Sequence, residues 1–82
     1  MNYREHIVRD PEICGGQPTF HGTRVLLRIV LAYLADGKTI EEIRASFPAL
    51  TEEHVRAAIA FAAASAGEDL PMPEPPPFAR VA

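Results

Sequence analysis

The sequence predicts a mainly α-helical domain: a three-helix helix-turn-helix core, a short β-prone arm or hairpin before it and an extended proline-rich tail after it. Three observations support this fold class. Two helical patterns meet at a proline between residues 37 and 66, a third helical pattern precedes them, and glycines separate short β-prone segments near the N-terminus. We therefore expect an N-terminal β arm over residues 1–26, a trihelical core over 27–67 and an acidic tail over 68–82.

The short helix at the centre of the sequence has clear start and stop signals. Thr39 can act as the N-cap residue, and Glu42 follows three residues later, which is the spacing of a capping box. Pro48 prevents simple continuation because it lacks an amide donor and its ring collides with the preceding turn. The predicted helix covers residues 40–46, and its apolar face is formed by Ile40, Ile43 and Phe47.

A longer helix follows the proline. Thr51 is its predicted N-cap, and Glu52 and Glu53 complement the positive end of the helix dipole. Leu50 before the cap and Val55 after it have the spacing of a hydrophobic staple. We expect the helix to end at Gly67 and to bury a stripe made of Val55, Ala58, Ile59 and Ala62.

The N-terminal arm is predicted from β-prone residues and turn signals. Ile7 and Val8 form one short extended segment and residues 19–21 a second, with Gly15, Gly16 and Pro18 supplying the turn between them. The corner Gly22-Thr23-Arg24 ends the second segment; we expect the glycine to give backbone freedom and the threonine to make a local hydroxyl-to-backbone hydrogen bond.

The first of the three helices begins after this arm. Residues 26–36 have helical spacing, and Gly37 follows as a C-terminal glycine that can adopt a left-handed conformation. The three helices are expected to share one small core, formed by Ile29, Val30, Tyr33, Leu34, Ile40, Ile43, Phe47, Leu50, Val55, Ala58, Ile59 and Ala62.

Length and composition narrow the class of protein. A chain of 82 residues makes one small domain of marginal stability, so we expect a homodimer. No apolar run approaches the roughly 20 residues that span a bilayer, and no signal-peptide pattern opens the sequence, so we expect no membrane association and a cytoplasmic location. The single cysteine, Cys14, agrees with a reducing compartment.

Motifs that would indicate an enzyme or a cofactor site are weak. Gly15 and Gly16 are not followed by the lysine of a P-loop. His6, His21 and His54 show no metal-ligand spacing, and we expect them to be solvated or hydrogen-bonded. We therefore predict no enzyme, no cofactor and no metal.

The net charge of −3 does not favour binding to DNA, which is itself negatively charged, so the distribution of basic residues matters more than their total. In a helix-turn-helix the start of the second helix faces the bases, and here Glu52 and Glu53 would repel phosphate. Basic residues that could contact DNA lie elsewhere along the core, and a dimer would double their number. These candidates are Arg24, Arg28, Lys38, Arg44 and Arg56.

A family resemblance is carried by three ordered motifs: Gly15-Gly16-Gln17-Pro18, then Gly22-Thr23-Arg24, then residues 37–51 with Pro48 and Thr51. Over about residues 5–66 the sequence resembles the bacterial family catalogued as domain of unknown function 433. The resemblance implies a homeodomain-like trihelical core. It also implies an antitoxin of a type II toxin–antitoxin pair, similar in role to the VapB antitoxins, that binds a cognate PIN-like ribonuclease toxin and, for autoregulation, the operator DNA of its own operon.

Two hypotheses of different class therefore stay open: a DNA-binding antitoxin, and a protein–protein adaptor or dimerisation module built on a helix-turn-helix scaffold. The tail bears on both, because five prolines keep it extended and its few apolar side chains and acidic groups could contact a partner. The candidate partner-binding residues in the tail are Leu70, Met72, Glu74 and Phe78.

Overall fold

A computed structural model describes residues 1–69 of the chain, with the side chains of 68 and 69 left undescribed. Residues 1–69 are mainly helical, with three helices and one small antiparallel hairpin. The strands are β1 (Ile7–Val8) and β2 (Thr19–Phe20), and the helices are α1 (Leu27–Ala35), α2 (Ile40–Ser46) and α3 (Glu52–Asp69). Short 3-10 turns cover Tyr3–Glu5 and Cys14–Gly16. The predicted extended tail and its partner-binding residues, Leu70, Met72, Glu74 and Phe78, lie outside the described residues.

The predicted hairpin is confirmed. Ile7 pairs with Phe20 and Val8 with Thr19 in antiparallel register. Beyond the strands, the His21 N–H donates to the His6 carbonyl at 2.7 Å. Strands of two residues are not stable by themselves, so this hairpin depends on the helical layer against which it packs.

The capping box of α2 is confirmed. Thr39 Oγ1 accepts from the Glu42 N–H at 3.1 Å, and the Glu42 carboxylate accepts from the Thr39 N–H at 2.8 Å. The hydrogen bond from the Thr39 backbone is the main cause that lowers the pKa of Glu42 below its ordinary value. The ionised carboxylate therefore stabilises the fold above pH 4.5, and this contribution is lost as the pH falls through the lowered pKa.

The end of α1 follows the glycine signal. Gly37 has φ +85°, and the Lys38 N–H donates to the Tyr33 carbonyl at 3.0 Å, which closes the last turn of the helix.

The core lies where β2 and all three helices meet. Val30, Ile43, Leu50, Val55 and Ala58 are buried there, as predicted. The prediction omitted three further buried apolar residues, which are Phe20, Leu27 and Ala57. Phe20 is fully buried, so the hairpin contributes the largest fully buried side chain of the core.

The predicted apolar stripe of α3 is wrong in part. Ile59 is 46% exposed, and Ala62 is also exposed. The reason is that the arm packs on a neighbouring face of α3: the rings of Tyr3 and Phe61 lie 5.6 Å apart in an edge-to-face arrangement.

The predicted end of α3 is also wrong. The helix continues through Gly67 to Asp69. The φ of Gly67 is not positive, so this residue does not form a left-handed cap. A glycine inside a helix costs only about 1 kcal/mol relative to alanine, and the preceding alanine-rich turns have the highest helix propensity.

Within the described residues, the structure contains no helix long and apolar enough to cross a membrane.

Candidate functional site

The loop between the two strands is built around consecutive left-handed residues. Cys14, Gly15 and Gly16 have φ values of +51°, +67° and +85°. The Gly16 N–H donates to the Ile13 carbonyl at 3.0 Å, and Arg9 Nε donates to the Gly16 carbonyl at 2.7 Å. Glycine tolerates these conformations and cysteine does so only at a cost, so the loop holds its shape through local bonds.

The corner after β2 is held by the hydroxyl of Thr23. Its Oγ1 donates to the Phe20 carbonyl at 2.8 Å and accepts from the Val25 N–H at 3.0 Å, which is the kind of local bond that the sequence predicts. Gly22 precedes it with φ +82°. The two bonds fix the backbone on both sides of Arg24, whose side chain is exposed.

These two loops enclose a cleft of about 500 Å³, which we call the arm cleft. Cys14 Sγ lies 3.6 Å from the Arg24 carbonyl and links the loops. Arg24 and His21 supply polar groups to the cleft, and half-buried Asp10 supplies a carboxylate that already accepts from the Glu12 N–H at 2.9 Å. The lining is formed by Val8, Asp10, Ile13, His21, Gly22, Thr23 and Arg24. The arm cleft therefore combines an apolar wall with an exposed guanidinium.

Arg24 differs from the other arginines proposed as DNA contacts. In the described part of the chain its side chain makes no hydrogen bond or ion pair, and the same holds for Lys38. Arg28 Nε instead donates to Gln17 at 3.1 Å, beside a small apolar groove on α1. Arg24 is thus available to an outside group.

Arg44 and Arg56 lie together in a groove of about 390 Å³ between α2 and α3. Arg56 forms an ion pair with Glu52 at 2.8 Å, one turn earlier on α3, and Glu41 lines the same groove. The five predicted basic residues therefore do not line one common groove. The groove where two of them meet has balanced charge.

Both large exposed hydrophobic side chains of the described residues line one further groove, on the outer side of α3. Met1 is 64% exposed and Ile59 46% exposed. Ala60, Ala63 and Arg56 complete this groove of about 280 Å³, which we call the α3 groove. Its alanines allow a close approach by another chain.

The start of α3 contains a feature that our sequence reasoning missed. Thr51 Oγ1 accepts from the His54 N–H at 3.2 Å, and the Thr51 N–H donates to His54 Nδ1 at 3.1 Å. His54 thus takes the place that glutamate has in a capping box. The available signal was a histidine three residues after a threonine N-cap.

The three histidines, far apart in sequence, come together at this point. The His6 ring lies 6.0 Å from the His54 ring in an edge-to-face arrangement. The Phe20 ring lies 5.5 Å from the same His54 ring. The pKa of His54 is lowered mainly by burial of the ring and, to a smaller extent, by the charges of His6 and His21. A hydrogen bond to the His21 backbone and the charge of Glu53 act to raise it. Among residues 1–69 no group of histidine, cysteine or acidic side chains is placed to hold a metal ion.

The fold and these surfaces define residues 1–69 as a small helical unit with a hairpin docked on α3. Residues 7–62 match the family described as "Protein of unknown function (DUF433)", and the chain belongs to this family.

The chain is also similar to two individual proteins. The chain is 37% identical over 62 residues to the uncharacterized protein y4eO of Sinorhizobium fredii (strain NBRC 101917 / NGR234), a match that covers 76% of this chain and 28% of that protein. It is similar to the crystal structure of a DUF433 member protein from Anabaena variabilis ATCC 29413, with a TM-score of 0.67 and 29% identity over 79% of this chain and 64% of that one. The chain thus spans less than two thirds of the length of either relative.

Proposed function

We propose that this chain is the antitoxin of a type II toxin–antitoxin pair, which binds and neutralises a PIN-like ribonuclease toxin through the arm cleft. The observation that carries the proposal is Arg24, exposed beside an apolar wall and without a partner among residues 1–69. A metal-dependent nuclease of this kind presents clustered aspartates, and a guanidinium forms strong, bidentate hydrogen bonds with carboxylates. The apolar wall of Val8 and Ile13 adds contact area beside the charge.

Replacing Arg24 by alanine tests this proposal. With the product of a neighbouring reading frame that carries clustered aspartates, we expect Arg24→Ala to weaken binding by at least about tenfold, as for a central arginine of an interface. The matched control is Lys38→Ala, which removes another exposed cation that makes no side-chain bond among the described residues. The measurements are calorimetric Kd values and inhibition of RNA cleavage. Equal affinities for the two variants, or no complex with the wild-type chain, would contradict the proposal.

Operator binding is a second candidate function, favoured by the arrangement of α2, a five-residue connection and α3. We infer that these elements form a homeodomain-like helix-turn-helix, with Arg44 and Arg56 as phosphate contacts in a dimer. Glu52 already engages Arg56, and Glu53 is exposed beside it. These charges favour a role in protein contact, as in the adaptor hypothesis, over base contact by α3.

We also propose that the protein forms a homodimer through the α3 groove. Exposed Ile59 and Met1 leave apolar surface on a small domain, and Ala60 and Ala63 permit close helix packing. Ile59→Glu is therefore expected to convert the dimer to a monomer in sedimentation equilibrium at micromolar concentration. Ala62→Glu, at an exposed position of α3 that does not line the groove, is the control and should leave the dimer intact. A wild-type chain that sediments at 9.0 kDa would rule the dimer out.

A further inference from the structure

The three histidines of the chain connect two parts of the fold that are far apart in sequence. His6 precedes β1 and His21 follows β2, so both lie at the same end of the hairpin. The His21 N–H donates to the His6 carbonyl at 2.7 Å and holds the two residues together. His54, in the first turn of α3, places its ring 6.0 Å from that of His6. The end of the hairpin is thus packed against the start of α3 through histidine side chains.

The hydrogen bonds of His54 require a neutral ring. Nδ1 accepts from the Thr51 N–H at 3.1 Å, so this nitrogen cannot carry a proton. In the common form of the capping box a carboxylate accepts this bond and keeps its charge at neutral and mildly acidic pH, as Glu42 does at the start of α2. The chain therefore contains two caps of the same geometry, of which one depends on a histidine.

Protonation of His54 has three unfavourable consequences. It removes the acceptor of the Thr51 N–H, it places a positive charge at the positive end of the α3 dipole, and it adds that charge to a site that already holds two other histidines. Burial of the ring is the largest effect that opposes the cation. The titratable groups that face the ring are His6 before β1, His21 after β2 and Glu53 on α3 itself; of these only Glu53 favours the cation, as does the hydrogen bond to the His21 backbone. The ring of Phe20 at 5.5 Å offers no compensating charge.

We propose that His6, His21 and His54 form an acid-sensitive latch, which fastens the hairpin to the start of α3 at neutral pH and releases it in mild acid. The latch acts within one chain and does not depend on the proposed toxin partner. Because His21 also lines the arm cleft, release of the hairpin would dismantle that cleft as well.

The direction of the pH dependence follows from the lowered pKa of His54. The folded chain binds the proton less readily than the unfolded chain, so the stabilisation is fully present above pH 6.5. It is lost as the pH falls below 6.5 and through the lowered pKa of the folded state. The Glu42 cap keeps its charge over this range, because its pKa lies below 4.5.

Hydrogen exchange on the full-length wild-type chain tests the latch. Between pH 7.5 and 5.0, after correction for intrinsic exchange rates, we expect the protection of the Thr51 and His21 amides to fall by at least about fivefold, because both amides lie in the segments that the latch joins. The matched control is the Glu42 amide, which donates in a cap without histidine and should change less than about twofold. Nitrogen NMR of the rings should show the Nε2–H tautomer of His54 at pH 7.5.

The variant His54→Gln keeps an uncharged acceptor at this position at every pH. It should therefore keep the same Thr51 protection at both pH values. The proposal is overturned if the wild-type Thr51 amide changes no more than the Glu42 amide, or if the His54 ring titrates at pH 6.5 or above. The proposal is also overturned if the Thr51 protection in His54→Gln depends on pH as strongly as it does in the wild-type chain.

Discussion

Phe20→Ala is expected to leave the protein largely unfolded at 25 °C. The ring is fully buried between the hairpin and α3, and it is the largest fully buried side chain of the described core. Truncation of a buried phenylalanine to alanine costs about 3–5 kcal/mol, which is comparable to the whole stability of a small domain. Circular dichroism during urea titration measures the loss as a midpoint shifted to low denaturant.

The control for this experiment is Ile59→Ala. It also removes a large apolar side chain, but from a position that is 46% exposed on the surface of α3. In the monomer we expect it to lower stability by less than about 1 kcal/mol, because little apolar area is returned to water. Equal losses for the two variants would mean that the arm does not contribute to the core as the structure shows.

Gly22→Ala is expected to destabilise the protein by roughly 1–2 kcal/mol, since an L-residue in the left-handed region carries a steric cost of that size. Gly22 has φ +82°, and a Cβ built there meets no atom within 4 Å. The expected loss of stability therefore comes from the backbone conformation alone and not from a steric clash of the new side chain. The strain acts next to the Thr23 hydroxyl bonds, so the corner that presents Arg24 should loosen as well.

The same substitution at Gly67 should have the opposite sign. This glycine lies inside α3, its Cβ would also meet nothing within 4 Å, and its φ is not positive. Alanine there should raise stability by about 0.5–1 kcal/mol, because it favours the helix. Thermal unfolding of the two variants compares them directly. A stabilising Gly22→Ala would show that the corner does not require its left-handed backbone.

The parts of the fold that were predictable from sequence are those fixed by neighbouring residues. Thr39 and Glu42 determine the start of α2 within one turn, and Ile7, Val8 and Phe20 follow β-strand preferences. The docking of the arm was not predictable, because it pairs residues about forty to sixty positions apart, such as Tyr3 with Phe61. The position of Ile59 was assigned wrongly because that docking decides which face of α3 is buried.

The candidate site likewise contains residues that were predictable from sequence and residues that were not. Arg24 and Thr23 could be singled out from a short motif, and the local bonds of Thr23 follow from it. Asp10 and Ile13 could not be assigned to the arm cleft, because the path of their loop depends on three consecutive left-handed residues, of which Cys14 is not a glycine. The capping role of His54 could have been predicted, because its spacing from Thr51 matches the spacing of Glu42 from Thr39.

The docking of the hairpin on α3 also constrains how the chain folds during synthesis. The hairpin leaves the ribosome before α3, yet the residues against which the N-terminal segment packs, His54 and Phe61, both belong to α3. Two-residue strands cannot persist alone, so Phe20 remains without its core until α3 has emerged. A nascent chain that stalls before α3 therefore exposes an aromatic side chain and unpaired strand edges, which proteases and chaperones recognise.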